Sequence, residues 1–127
     1  MPPPISTAPG VLRHLLAVVG FACVAVAYAW PLPLQLGGAL PGPVSGDTGV
    51  YLWNLWVFRH AIVTHASTPF FTDEVLSLSP AVSLALQNYT TLANVIAFPL
   101  LPHLGLVTTY NLLVVASRVA SAYPMFL

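Results

Sequence analysis

The sequence predicts an all-α, helical integral membrane protein, and three observations predict it. Of the 127 residues, 57% are hydrophobic and only 5% are charged, against about 25% charged in an ordinary soluble domain. Apolar segments recur at about the 20 residues that a membrane-spanning helix needs. Segments rich in Pro and Gly separate them, and these residues end helices. The formal net charge is zero, so no basic surface is available for nucleic acid.

The N-terminal part predicts a leader followed by a first span. Residues 1–10 are Pro-rich and predict a disordered leader. Residues 11–30 predict the first transmembrane helix, with Arg13 near its start and Trp30 at its end. A signal peptide is the alternative, but its apolar core is usually about 7–15 residues long. Because Arg13 lies at the N-terminal side, we expect the N-terminus in the cytoplasm.

An outer loop is predicted over residues 31–81, with one helix inside it. Residues 31–46 contain four Pro and four Gly, which excludes a regular helix there. A helix is predicted over about 48–64. It carries two Trp, but also Arg59 in its interior. A charge there makes a poor span, so we expect this helix to lie at the membrane interface.

Two further spans are predicted over residues 82–101 and 106–127, with a tight turn between them at Pro102–Gly105. Together with residues 11–30 they make about three transmembrane helices. The last span runs to Leu127 without the polar residues that usually close a membrane helix. We therefore expect the chain to be the N-terminal fragment of a longer protein, whose remaining spans would be its partners.

Asp47 is the strongest candidate for a chemical role. It stands in "SGDTGV", directly before the predicted interfacial helix. One interpretation is a helix cap, in which the carboxylate accepts backbone N–H groups and faces the positive end of the helix dipole. The other is a general base at a membrane boundary. The two interpretations are compatible, because a cap also orients the carboxylate.

The other two acids, Asp73 and Glu74, are adjacent in the second half of the outer loop. Neighbouring carboxylates can bind Mg²⁺ or Mn²⁺, or they can simply belong to a solvated turn. His60 and His65 are five residues apart, whereas zinc ligands on one helix are typically four apart. We therefore predict no metal site from the two histidines alone.

Four further side chains are candidates for binding. Arg59 either extends to the interface or binds a phosphate. Trp53 and Trp56 either anchor the helix at the interface or stack on a sugar or an isoprenoid. Arg118 lies within the third predicted span, where a charge is costly and indicates a functional site or a buried partner.

The order of these features resembles the N-terminal part of the polytopic glycosyltransferases of the GT-C superfamily. These bacterial membrane proteins transfer sugars from polyprenyl-phosphate donors. The matching segments are "GDTGVYLWNLWVFRHAI", "TPFFTDEVLSLSPAVSLAL" and "YNLLVVASRVASAYPMFL". The resemblance implies that Asp47 is the catalytic base and that the following helix lies along the outer face of the inner membrane. It also implies a polyprenyl-phosphate-linked sugar donor.

The sequence therefore predicts the front portion of a membrane sugar transferase. A divalent cation or arginine side chains would neutralise the leaving phosphate. The alternative is a non-catalytic small membrane protein or a transporter fragment. In that case Asp47 is only a cap, and Arg118 joins helices or lines a transport pathway.

Overall fold

The computed structural model describes residues 10–43, 46–74 and 81–127, and it is mostly helical. Residues 1–9 of the leader predicted over residues 1–10 are outside the described residues, and Gly10 already belongs to the first helix. The elements are α1 (Gly10–Tyr28), α2 (Thr48–Val63), β1 (Phe71–Thr72), β2 (Val82–Ser83), α3 (Thr91–Ala97), α4 (Leu101–Leu104) and α5 (Leu106–Ala122), with 3-10 turns at Leu32–Gln35, Leu84–Leu86 and Tyr123–Phe126.

Helix α1 confirms the helix predicted over residues 11–30. Its 19 residues extend over about 28 Å, close to the hydrocarbon thickness of a bilayer. Ala25 alone is buried in it, and its apolar side chains point outward. Among the described residues it is the one helix long and apolar enough to cross a membrane. Since it lies near the N-terminus, α1 is a membrane anchor or a signal sequence.

Helix α2 confirms the helix predicted over residues 48–64, and one of its faces builds the core. Asn54, Leu55, Phe58 and Ala61 are buried on it, at the spacing of three and four residues that places side chains on one face. Leu55 packs in a cluster with residues of α3, α4 and α5. The cluster consists of Leu55, Ala97 and Leu101, with Leu106, Tyr110 and Leu113 against it.

The span predicted over residues 82–101 is wrong as a continuous helix. Val82–Ser83 instead pairs antiparallel with Phe71–Thr72, so the fold is not purely helical. The later part contains the short helices α3 and α4, with a turn at 98–100 between them. Pro99 lacks an N–H group and its ring clashes with the preceding turn of helix, which ends α3.

Hydrogen bonds to α2 account for the extended backbone before α3. The side chain of Asn54 is fully buried. Its Nδ2 donates to the carbonyl of Asn88 at 3.0 Å, and its Oδ1 accepts from Gln87 Nε2 at 3.0 Å. Asn88 Nδ2 donates to the hydroxyl of Tyr51 at 2.7 Å. The bond to the Asn88 carbonyl satisfies a backbone group that a helix in this segment would have satisfied with its own N–H groups.

Helix α5 occupies most of the segment predicted as the span 106–127. Its 17 residues extend over about 26 Å, somewhat less than the hydrocarbon core of a bilayer. Pro124 lies in the 3-10 turn that follows. Helix α5 contacts α1, α2, α3 and α4, so it is the central element of the fold.

The amide of Asn111 attaches the loop after α1 to α5. This side chain is fully buried, and its Nδ2 donates to the carbonyls of Leu36 and Ala39, at 2.7 Å each. The backbone approaches α5 closely at Gly37, where an added Cβ would lie 3.3 Å from Thr108 Oγ1. The loop is therefore held in one position, although it contains little regular structure.

We predict that Asn111→Ala destabilises the fold by about 1–3 kcal/mol, because two partly buried hydrogen bonds to the loop are lost. The measurement is the free energy of unfolding in detergent micelles. Ser121→Ala is the matched control, since Ser121 is exposed and donates within its own helix, and it should change that free energy by less than about 0.5 kcal/mol. Equal stability of the two variants would contradict the role of Asn111.

Candidate functional site

Asp47 lies at the N-terminal boundary of α2 with its side chain exposed. Among the described residues, its carboxylate accepts no capping hydrogen bond from the helix. The reason is the backbone: φ −69° and ψ −6° are helical values, whereas a capping residue is typically extended at this position. The capping interpretation is therefore wrong in its hydrogen bond, although Asp47 does stand at the N-terminal boundary of α2.

A short contact fixes the start of α2 against the preceding loop. The Thr48 hydroxyl donates to the carbonyl of Pro41 at 2.7 Å. The next residue, Gly42, has φ +91°, and a Cβ there would lie 3.4 Å from Thr48 Oγ1. This left-handed conformation favours glycine. Asp47 directly precedes Thr48, so this contact ties the residue after Asp47 to the loop at Pro41.

Pro41 and Gly42 also line a cavity of about 330 Å³ at the end of α1. Arg118 is the one charged residue among its described lining, and its guanidinium carbon lies 4.9 Å from the centre of the Tyr28 ring. Such a cation–π contact is favourable and leaves the guanidinium N–H groups available to other partners. The remaining lining is mainly apolar: Ala29, Trp30, Pro31, Leu32 and Leu40.

Arg118 combines a charge with an unsatisfied donor. Its Nη1 is buried without a hydrogen-bond partner among the described residues, and a buried donor without an acceptor costs free energy. The sequence left the partner of Arg118 open between a functional ligand and an acid. The observed neighbour is the ring of Tyr28, so the cavity presents positive charge beside apolar walls.

The residues predicted to bind substrate are not gathered around Asp47. Trp53 is half-buried and Arg59 is exposed on α2. They follow Asp47 by six and twelve residues, which is about 9 Å and 18 Å along a helix. Trp56 lies between them and stacks on the ring of His60 at 4.7 Å. The predicted site therefore extends along the whole of α2.

The predicted metal candidates Asp73 and Glu74 lie near the opposite end of α2. Both are exposed and line a second cavity of about 340 Å³, together with His60 and His65. Glu74 Oε1 is 3.5 Å from His60 Nε2, and His65 Nε2 is 3.1 Å from the same nitrogen. The sequence did not predict this cluster, because a spacing of five residues does not put two side chains together on a regular helix.

Tyr89 attaches the loop beside this second cavity to the rest of the fold. Its hydroxyl donates to the carbonyl of Pro69 at 2.7 Å, and its ring contacts Phe70. Burial raises the pKa of the Tyr89 hydroxyl, while the neighbouring Asn94 side chain opposes part of that change. The phenol therefore stays protonated, as a donor must, well above neutral pH.

Comparison with known proteins finds no family model, no curated protein and no solved structure that matches this chain.

The cavity of about 330 Å³ that Arg118 lines is called the Arg118 cavity below. From its lining, we predict that the protein binds a small anion that carries an apolar group. In a Trp53→Phe/Trp56→Phe background, the emission of Trp30 should report occupancy, because Trp30 lines the cavity. Titration with butyl phosphate should give a saturable change, since charge-assisted hydrogen bonds to a guanidinium are strong. Butanol should give none.

Arg118→Gln should abolish the response to butyl phosphate. Arg13→Gln is the matched control, because Arg13 makes a similar contact, at 5.1 Å, with the ring of Phe126. Arg13 lies near the other end of α1, fifteen residues from Tyr28, or about 22 Å along the helix. A response that persists in Arg118→Gln, or that butanol reproduces, would contradict anion binding at this cavity.

Proposed function

We propose that this chain is the N-terminal portion of a membrane glycosyltransferase. Its reaction moves a sugar from a polyprenyl-phosphate donor to an acceptor at the outer face of a bacterial inner membrane. One observation carries the proposal: the exposed Asp47 directly precedes Thr48, whose hydroxyl bonds to the carbonyl of Pro41, and Pro41 lines the Arg118 cavity. A base and a phosphate-binding cation are the two groups that this reaction requires.

Asp47 acts as the general base. It removes the proton of an acceptor hydroxyl while the hydroxyl oxygen attacks the anomeric carbon of the sugar. The bond between that carbon and the phosphate oxygen breaks, and the phosphate keeps the electron pair. An exposed carboxylate that is not engaged in capping α2 supports this role.

Arg118 neutralises the phosphate that leaves. A guanidinium can bind two phosphate oxygens at once, and it is most effective where apolar walls exclude water. The unsatisfied Nη1 supports this assignment. Arg118 takes the role that the sequence offered to Arg59, because Arg59 lies about 18 Å from Asp47 along α2.

Helix α1 holds the chain in the membrane and borders the lipid part of the donor. Its apolar side chains are exposed: Val11 at 72%, Leu16 at 63% and Val24 at 67%. The cavity lies at its C-terminal end, next to Trp30, where interfacial aromatic residues belong. Arg13 near its start favours a cytoplasmic N-terminus, so the cavity faces outward.

The alternative function is a non-catalytic membrane component. The contact between Arg118 and Tyr28 favours it, because that contact joins α5 to α1 and needs no ligand. In this alternative, the loss of Arg118 weakens the fold and the loss of Asp47 has no effect on any transfer reaction.

We expect sugar transfer in membranes that contain the full-length protein of which this chain is the N-terminal portion, with a panel of labelled polyprenyl-phosphate hexoses and pentoses as donors; the 127-residue chain by itself should be inactive. Asp47→Asn should lower the rate by about 10²–10⁴-fold, the usual contribution of a general base, without changing expression or unfolding temperature. Gln35→Ala is the control, because Gln35 is an exposed amide of the adjacent loop. Normal transfer by Asp47→Asn would contradict the role of Asp47 as general base. No transfer from any donor would favour the non-catalytic alternative.

A further inference from the structure

Three side chains of the metal-binding type converge where α2 ends. His60 Nε2 is 3.1 Å from His65 Nε2 and 3.5 Å from Glu74 Oε1. The three potential ligand atoms all lie within 4.8 Å of one another. Bonds of about 2.0–2.2 Å in a tetrahedral zinc site place neighbouring ligands roughly 3.3 Å apart. The two shortest separations are therefore close to those of a formed site.

The end of α2 explains how two histidines five residues apart can meet. The N–H groups of Thr64 and His65 both donate to the carbonyl of His60, at 2.9 Å and 3.4 Å, so the last turn is wider than a regular one. Ala66 then has φ +48°, an uncommon conformation for a residue with a side chain. Backbone strain of this kind is often found at functional sites. Because Ala66 follows His65, this turn redirects the chain that leads on to Glu74.

The surroundings of His60 orient its ring for metal binding. Its Nδ1 lies 3.2 Å from the Thr64 hydroxyl oxygen, and Trp56 stacks on the ring with an interplanar angle of 13°. When Nδ1 carries the proton and donates it to Thr64, Nε2 has a lone pair directed at His65 and Glu74. A hydrogen bond from the second ring nitrogen is the usual support of a metal-bound histidine.

The electrostatic environment attracts a cation. The site lies at the C-terminal end of a 16-residue helix, where the helix dipole is negative. Glu74 and Asp73 bring two carboxylates to the same cavity, and its described lining contains no arginine. Two imidazoles with one carboxylate suit zinc and related transition metals, whereas Mg²⁺ prefers oxygen ligands.

We propose that His60, His65 and Glu74 bind a divalent transition-metal ion of the zinc type. The ion has a fourth position open to the cavity of about 340 Å³. Three protein ligands and one open position are the arrangement of sites that exchange a water molecule or a small ligand. The proposed ligands are thus Glu74 and two histidines, and not the carboxylate pair Asp73 and Glu74.

This site is separate from the one at Asp47. His60 follows Asp47 by thirteen residues, about 20 Å along α2. An ion there lies far from the Asp47 carboxylate, so metal binding does not depend on the proposed transferase activity. The ion joins the segment after β1 to the end of α2.

The test is zinc binding by the full chain in detergent micelles, purified without a histidine tag and stripped of metal with a chelator. Isothermal titration with ZnCl₂ should give one ion per chain and a dissociation constant in the micromolar range or below. MgCl₂ should bind at least about 100-fold more weakly, given the ligand types. Co²⁺ should give the strong visible absorption of a tetrahedral complex.

His65→Ala and Glu74→Gln should each weaken zinc binding at least about 100-fold, because each removes a ligand. Thr64→Val should weaken it about 10-fold, because it removes only the support of His60. His103→Ala is the matched control, since His103 is an exposed histidine on α4 and should leave binding unchanged. His65 and Glu74 are exposed, so circular dichroism should show both variants folded.

Zinc binding that survives both His65→Ala and Glu74→Gln would overturn the proposal, as would Mg²⁺ binding as tight as that of zinc. Neither result bears on Asp47, because transfer activity is measured separately. Conversely, zinc binding lost in His65→Ala and retained in Asp47→Asn would support the metal site whatever the outcome of the transfer assay.

Discussion

Hydrogen bonds from buried asparagine side chains hold this structure together. An irregular segment packed against a helix has carbonyl groups that no regular secondary structure pairs, and side-chain donors can satisfy them. Asn111 supplies donors to Leu36 and Ala39, and Asn54 supplies one to Asn88. An apolar side chain in their place could pack, but it would leave those carbonyls unsatisfied. The loop walls of the Arg118 cavity therefore depend on α5 as much as on the loop itself.

Helix α2 separates two kinds of chemistry at its two ends. A carboxylate, Asp47, stands at the start, where the helix dipole is positive, and the cluster of His60, His65 and Glu74 stands at the end, where it is negative. Each end suits the charge that it carries or would bind. Because a helix is rigid and these ends are about 20 Å apart, the two sites cannot act on the same atoms. The proposed acid–base site and the proposed cation site would therefore work independently at the two ends of one helix.

The sequence predicted the helices well where apolar length and a clear breaker coincide. Helix α1 follows from an uninterrupted apolar run before Pro31, and α2 follows from the loop residues that precede Thr48. The segment 82–101 has a similar apolar content, but its structure is different. Its residues Gln87 and Asn88 bond to the side chains of α2, and Pro99 ends the helix that starts later. Hydropathy measures how apolar a segment is and cannot detect partners that lie more than 30 residues away.

The candidate site residues were likewise predictable only in part. Asp47 was predictable as a boundary residue, because a lone acid after a Gly-rich loop and before an apolar helix has few other places to lie. The absence of a capping hydrogen bond from Asp47 was not predictable, because it depends on the helical ψ of −6° at this residue. Arg118 was predictable as an unusual charge in an apolar helix, whereas its contact with Tyr28 depends on how α5 crosses α1.

The sequence by itself determined the helical character of the chain, the membrane-length helix α1 and the positions of its few charged residues. These follow from local composition, which acts over a few neighbouring residues. Only the tertiary structure decided that Arg118 lies over Tyr28 beside the loop that precedes Asp47, and that His60 meets His65 and Glu74. A left-handed backbone turn lies close to each juxtaposition: Gly42, with φ +91°, lines the Arg118 cavity, and Ala66, with φ +48°, directly follows His65. For Ala66, no local preference predicts such a turn, because packing of the surrounding chain must stabilise it.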